Sequence, residues 1–171
     1  CYLVAEQIMA ALPQPPEWEP VLGTLVCAGA PEPHPDRELI ERRAAELALQ
    51  PLRWPGSWPV DSQLAMLVAT YCKRVGRGVA FSLAAFRQEF AGGRDLADRD
   101  TVLIAAAACE LHPAAVLGAM KRRSVGGSLQ QASARARLAG VRSLPAIQIG
   151  SRVFEGDAAI DGASRALEEE R

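Results

Sequence analysis

The sequence is short of net charge, of aromatic residues and of long apolar runs, and each shortage narrows what the chain does. Over 171 residues, 19 Lys and Arg stand against 20 Asp and Glu, a formal net charge of -1. Nucleic-acid and anionic-membrane partners normally require a basic excess or a segregated basic face. The one dense basic run, Lys121-Arg122-Arg123, reads as a solvated helix end. No stretch reaches the roughly 20 apolar residues of a membrane span, and even the Ala-rich residues 101–111 are bounded by Asp98, Arg99, Asp100 and His112. Cys1, Cys27, Cys72 and Cys109 form no Cys-x-x-Cys pair, and His34 and His112 each precede a proline in unrelated segments, so no metal is expected.

What is present is apolar residues at helical spacing. With 49% hydrophobic side chains, the chain can bury one domain, or a small domain carrying an insertion. Leu3, Val4, Ile8, Ala11 and Leu12 predict a first helix stopped by Pro13 and Pro16. "WEPVLGTLVC", residues 18–27, reads as an irregular or edge strand, and "AGAPEPHP" as a loop. A charged amphipathic helix over 36–49 leads into "QPLRWPGSWP", whose prolines exclude regular structure. Helices follow from Asp61 or Ser62 through Lys73, over 79–90 up to Gly92-Gly93, from Asp98 or Asp100 through Leu111, and from Pro113, with Gly126-Gly127 read as the end of the block. Cys27, Cys72 and Cys109 read as packing residues.

After Ser128 come a helix to Leu138, a stop at Gly140, a strand over 146–149, a turn at Gly150-Ser151, a strand through Phe154 and a helix from about Asp157. This order predicts an α/β thioredoxin-like fold with a helical insertion and without its first strand. The expected core is 1–33 with 128–171, the inserted subdomain is 34–127, and 18–27 shares a sheet with 146–154. The chain starts at Cys1 rather than Met, and the natural protein is expected to extend upstream.

"GVRSLPAIQIG", "VFEGDAAI" and the opening "CYLVAEQIMAAL" together resemble the DsbA-like branch of the thioredoxin superfamily, and within it proteins similar to kappa-class glutathione transferases and 2-hydroxychromene-2-carboxylate isomerases. The resemblance spans nearly the whole chain. It implies a cis Leu144-Pro145 bond facing the active site, and a backbone at Leu144 that pairs with a peptide-like thiol. It places Asp157 at a helix N-terminus as a contact for the γ-glutamyl group of glutathione, although Ala158 stands where the family often has Arg. Asp157 also reads as a plain helix cap. Cys1 corresponds to the last position of the family's four-residue active-site motif, written Cys-Pro-x-Cys in oxidoreductases and Ser-Pro-x-x in isomerases.

The implied activity is thiol-disulfide exchange through a thiolate held at a helix N-terminus beside Pro145, with Cys1 and Pro145 as catalytic residues; the nucleophile, or the Ser that replaces it, would lie three residues upstream, and Cys1 would resolve the mixed disulfide. The alternatives are a glutathione-dependent isomerase or transferase, or a non-catalytic thioredoxin-like binding module. Leu144 and Asp157 would bind the cofactor, glutathione or another low-molecular-weight thiol. Trp54, Trp58 and Arg53 would line a pocket for a small organic or disulfide substrate. Neither nucleic acid nor membrane is expected as a partner, a homodimer is left open, and the expected compartment is the cytoplasm.

Overall fold

The computed structural model describes residues 1–29 and 35–170. The expected boundary between residues 33 and 34, and with it His34, lies outside the described residues. The chain divides into two compact units, Cys1–Ala30 with Gln130–Arg171 and Pro31–Leu129. Among the described residues no helix is long and apolar enough to cross a membrane.

The Pro31–Leu129 unit is helical. Asp36 caps the helix α3 (Arg37–Glu46) by accepting the Leu39 N–H at 3.0 Å; in chain order α3 follows α1 (Tyr2–Ala11) and α2 (Gly23–Val26) of the other unit. Then come α4 (Gln63–Arg74), α5 (Gly78–Phe90), α6 (Arg99–Ala107) and α7 (Pro113–Met120). Asp98 caps α6, and the His112 ring nitrogen Nδ1 caps α7 by accepting the Ala114 N–H, with Pro113 in the first turn as expected. The core joins Ala65, Val68, Ala69 and Cys72 of α4 to Phe81 and Ala85 of α5, Val102, Ala105 and Ala106 of α6, and Val116 of α7. Phe81 is fully buried, and burial of a side chain of that size contributes about 1.5–3 kcal/mol. Glu89 continues the buried stripe of Phe81 and Ala85 and is only 7% exposed. Burial, and then the negative charge of Asp95, push its carboxyl up to about 7.

Two expectations are corrected. Gly126-Gly127 does not end the helical block, because α8 (Arg123–Leu138) runs through both glycines. Two glycines cost a helix about 1 kcal/mol each, but Val125, Leu129, Ala132 and Ser133 form a buried stripe that holds the helix together. Residues 18–27 contribute no strand either. Pro20 has no N–H to give a ladder, and the Val26 N–H bonds the Leu22 carbonyl at 3.0 Å, closing the short helix α2 around the fully buried Val26. The buried Ser133 hydroxyl accepts the Leu22 N–H at 2.9 Å and fixes where that turn begins.

In the other unit the sheet is therefore a hairpin, with β1 (Ala146–Ile149) antiparallel to β2 (Arg152–Glu155) in the register Ala146↔Glu155 and Ile149↔Arg152. A single 3-10 turn, Gly156–Ala158, leads into α9 (Ala159–Glu169). Ile8 and Leu12 of α1 share an apolar cluster with Ile147 of β1 and Ala159 and Ala163 of α9, with Trp18, Phe154 and Leu167 packed on it. The small residues Ala159, Gly162, Ala163 and Ala166 are the buried face of α9, which lets the helix lie close to the hairpin.

Candidate functional site

The segment before Pro145 begins where α8 ends. Gly140 has a φ of 101°, a conformation that favours glycine, and the Val141 N–H returns to the Ala136 carbonyl, which terminates the helix. Val141 is buried, while Arg142 and Ser143 turn outward. Their backbone N–H groups both donate to one oxygen, Glu155 Oε1, at 2.5 and 2.9 Å. The Arg142 guanidinium donates at 2.8 Å to the Arg137 and Val141 carbonyls, tying the same segment back to α8.

The Leu144-Pro145 peptide bond is cis, as is Trp58-Pro59. The Gly156 N–H donates to the Pro145 carbonyl at 2.9 Å, beyond the last ladder pair, with Gly156 at a φ of 69°. The chain thus returns Asp157 to the proline end of the hairpin. Asp157 is exposed and lies within the 3-10 turn, whereas the N-cap of α9 is Ala158. As a plain cap of the final helix Asp157 is thus one residue displaced.

Leu144 is backed by α2, since a Cβ placed on Gly23 would lie 3.8 Å from Leu144 Cδ1. Cys27, which follows α2, sits in the same neighbourhood. Burial raises its thiol pKa first and the nearby Glu155 charge raises it further, while the Leu144 backbone opposes both. Glu155 itself titrates below the usual carboxylate range because it accepts the Arg142 and Ser143 N–H groups.

Cys1 is the N-cap residue of α1, with its sulfur-bearing side chain exposed and its carbonyl accepting the Ala5 N–H at 2.9 Å. The same helix carries Ile8 and Leu12 into the cluster around Ile147, two residues after Pro145. Cys1, Leu144, Pro145 and Asp157 therefore all belong to one unit. A cleft of about 540 Å³ in that unit is lined by residues of β2 and α9, including Arg152, Phe154, Glu155, Arg165 and Glu169, but by none of those four.

Arg53, Trp54 and Trp58 belong to the helical unit and are described within it. The Trp54 ring meets Trp58 edge-on at 5.3 Å and Phe90 at 5.8 Å, and the Arg37 guanidinium lies 4.8 Å from its centroid. The Trp54 indole N–H donates to Glu41 at 2.8 Å. The Trp58 indole N–H is buried and has no hydrogen-bond partner among the described residues. Arg53 is exposed, and its backbone N–H is held by the Phe90 carbonyl at 2.7 Å. It is Arg37, not Arg53, that stacks on the cluster.

Sequence reasoning missed Glu155, Cys27, Arg37 and Phe90. The available signal for Glu155 was its place at the end of a strand two residues before Asp157. Its partners lie 12 and 13 residues away, beyond any local pattern.

A hairpin entered through a proline, an N-terminal helix packed on it and a helical block between them define the thioredoxin-like class with a helical insertion. The chain belongs to the DSBA-like thioredoxin domain family, whose model matches residues 36–168. In structure it is similar to a solved 2-hydroxychromene-2-carboxylate isomerase, with a TM-score of 0.83 at 11% identity over 99% of this chain and 89% of that one. Among curated proteins none matches in sequence.

Proposed function

We propose that the protein is a thiol-dependent oxidoreductase that works through Cys1. The observation that carries this reading is an exposed cysteine at the N-cap of a ten-residue helix, the end of the helix dipole that attracts negative charge. In the exchange the residue three positions upstream of Cys1 would attack the substrate disulfide, and Cys1 would then resolve the mixed disulfide: its sulfur bonds to the upstream sulfur, the mixed S–S bond breaks, and the substrate sulfur leaves as thiolate with the electron pair. A low-molecular-weight thiol such as glutathione is the co-reactant. Leu144 would hold its peptide-like backbone, Pro145 would lie beside the sulfur, and Asp157 would meet its ammonium group.

Arg53, Trp54 and Trp58 would contact the small organic or disulfide substrate. The buried Trp58 N–H supports that role, since an unpaired buried donor costs about 1–3 kcal/mol that a substrate acceptor would relieve.

A glutathione-dependent isomerase or transferase is the second reading, favoured by the extent of the structural match to an isomerase. There the cofactor sulfur, rather than a protein sulfur, is the nucleophile. Turnover of a glutathione mixed disulfide by the wild type and by Cys1→Ser separates the two. Exchange abolished in Cys1→Ser, with its fold unchanged, supports the first reading. Glutathione binding without exchange supports the second, and neither binding nor exchange would leave a non-catalytic binding module.

A further inference from the structure

Arg142 and Ser143 lie between the end of α8 and the start of β1, and their backbone N–H groups are held by one side chain. Glu155 Oε1 receives the N–H groups of both Arg142 and Ser143, the two residues directly before Leu144. Glu155 is at the same time the register partner of Ala146, the residue directly after Pro145, and its neighbour Gly156 holds the Pro145 carbonyl. One residue of β2 is thus fastened to both sides of the Leu144-Pro145 pair. Two hydrogen bonds to one side-chain oxygen order a loop that would otherwise lose conformational entropy when a ligand binds.

We infer that Glu155 is a positioning residue for thiol binding, acting through the Leu144 backbone that it holds in place by its bonds to Arg142 and Ser143. The depressed titration of the Glu155 carboxyl agrees with the same two N–H bonds. Its role is that of an acceptor rather than of a charge. An amide oxygen at the same reach can take both N–H groups, whereas a carboxylate one methylene shorter cannot. Gly23 packs behind Leu144 on the α2 side, so the loop has a wall to be held against. The inference rests on the proposed use of a peptide-like thiol at Leu144.

The test measures the dissociation constant for reduced glutathione, together with backbone amide exchange at Arg142 and Ser143, in the wild type, Glu155→Ala, Glu155→Asp and Glu155→Gln. The expected result is a rise of about tenfold or more in Kd for Ala and Asp, the equivalent of roughly 1.4 kcal/mol, with faster exchange at both amides. Gln should stay within about threefold of wild type and keep both amides protected. If Ala does not fold, the milder Asp and Gln pair still decides the matter. Wild-type binding with unchanged affinity in Asp overturns this role alone, as does a loss in Gln equal to that in Asp. A wild type that binds no glutathione overturns the thiol-binding reading and this inference with it.

Discussion

Gly162 lies directly under the ring of Phe154. A Cβ on Gly162 would fall inside contact distance of three ring carbons, so any side chain there must displace the ring. Phe154 is the β2 residue opposite Ile147 in the ladder and packs on the cluster that includes Ile147 and Ala163. Gly162→Ala should therefore destabilise the protein by about 1–3 kcal/mol despite alanine's better helix propensity. Urea denaturation would show it as a lower midpoint, and an unchanged or raised midpoint would mean that the ring has room to move.

Glu89 makes stability depend on pH. Its carboxyl is raised from 4.5 to about 7 by burial and by Asp95. The folded state therefore retains a proton that the unfolded state releases between those values. This contribution is fully present below about pH 4.5 and is lost as pH rises to about 7, a change on the order of 3 kcal/mol. Glu89→Gln should flatten the stability curve across that window and raise stability at pH 8. Thermal midpoints at pH 5, 6, 7 and 8 for both proteins are the measurement, and parallel curves would contradict the assignment.

The four cysteines should separate by reactivity. Cys1 is exposed, Cys27 is partly buried, and Cys72 and Cys109 are buried. Burial first, and then Cys109, push the Cys72 thiol up to about 12, so little thiolate forms there at neutral pH. Brief alkylation of the native protein at pH 8, mapped by mass, should label Cys1 first and Cys27 more slowly. Cys72 and Cys109 should be labelled only after denaturant is added, and early labelling of Cys72 would show that its helix opens locally.

Trp58→Phe removes a buried N–H that has no partner among the described residues, and with it part of the ring volume packed on Trp54 and Phe90. The lost packing should lower stability by about 1–3 kcal/mol, offset in part by the removal of the unpaired donor. If Trp58 donates to the substrate, KM should rise while kcat changes little, and an unchanged KM in the folded variant would remove that role.

The helical middle of the chain was legible because its buried residues recur locally. Ala65, Val68, Ala69 and Cys72 repeat at helical spacing, and Asp36, Asp98 and Pro113 mark where helices begin. The hairpin was legible from Pro145, the Gly150-Ser151 turn and the apolar run between them. Gly126-Gly127 misled because a glycine pair is a strong local stop signal, whereas the helix through it is kept by side chains buried against distant parts of the chain. "WEPVLGTLVC" misled because its β-favouring residues outweighed the Leu22-to-Val26 spacing that closes a helical turn around a buried valine. The bond from Leu22 to Ser133 spans 111 residues, and no sequence window contains it.

Alanine recurs throughout the buried residues of both units, from Ala65, Ala69 and Ala85 to Ala159, Ala163 and Ala166. Such a core draws its cohesion from main chains lying close together more than from bulky side chains. Its response to change should be lopsided. Truncating a residue often removes nothing, because there is little beyond Cβ to remove, while enlarging one by a few carbons forces neighbouring helices apart. Random mutagenesis should therefore find this interior more tolerant of serine and of glycine, which costs a helix about 1 kcal/mol, than of leucine and phenylalanine, the reverse of what a leucine-rich core would show.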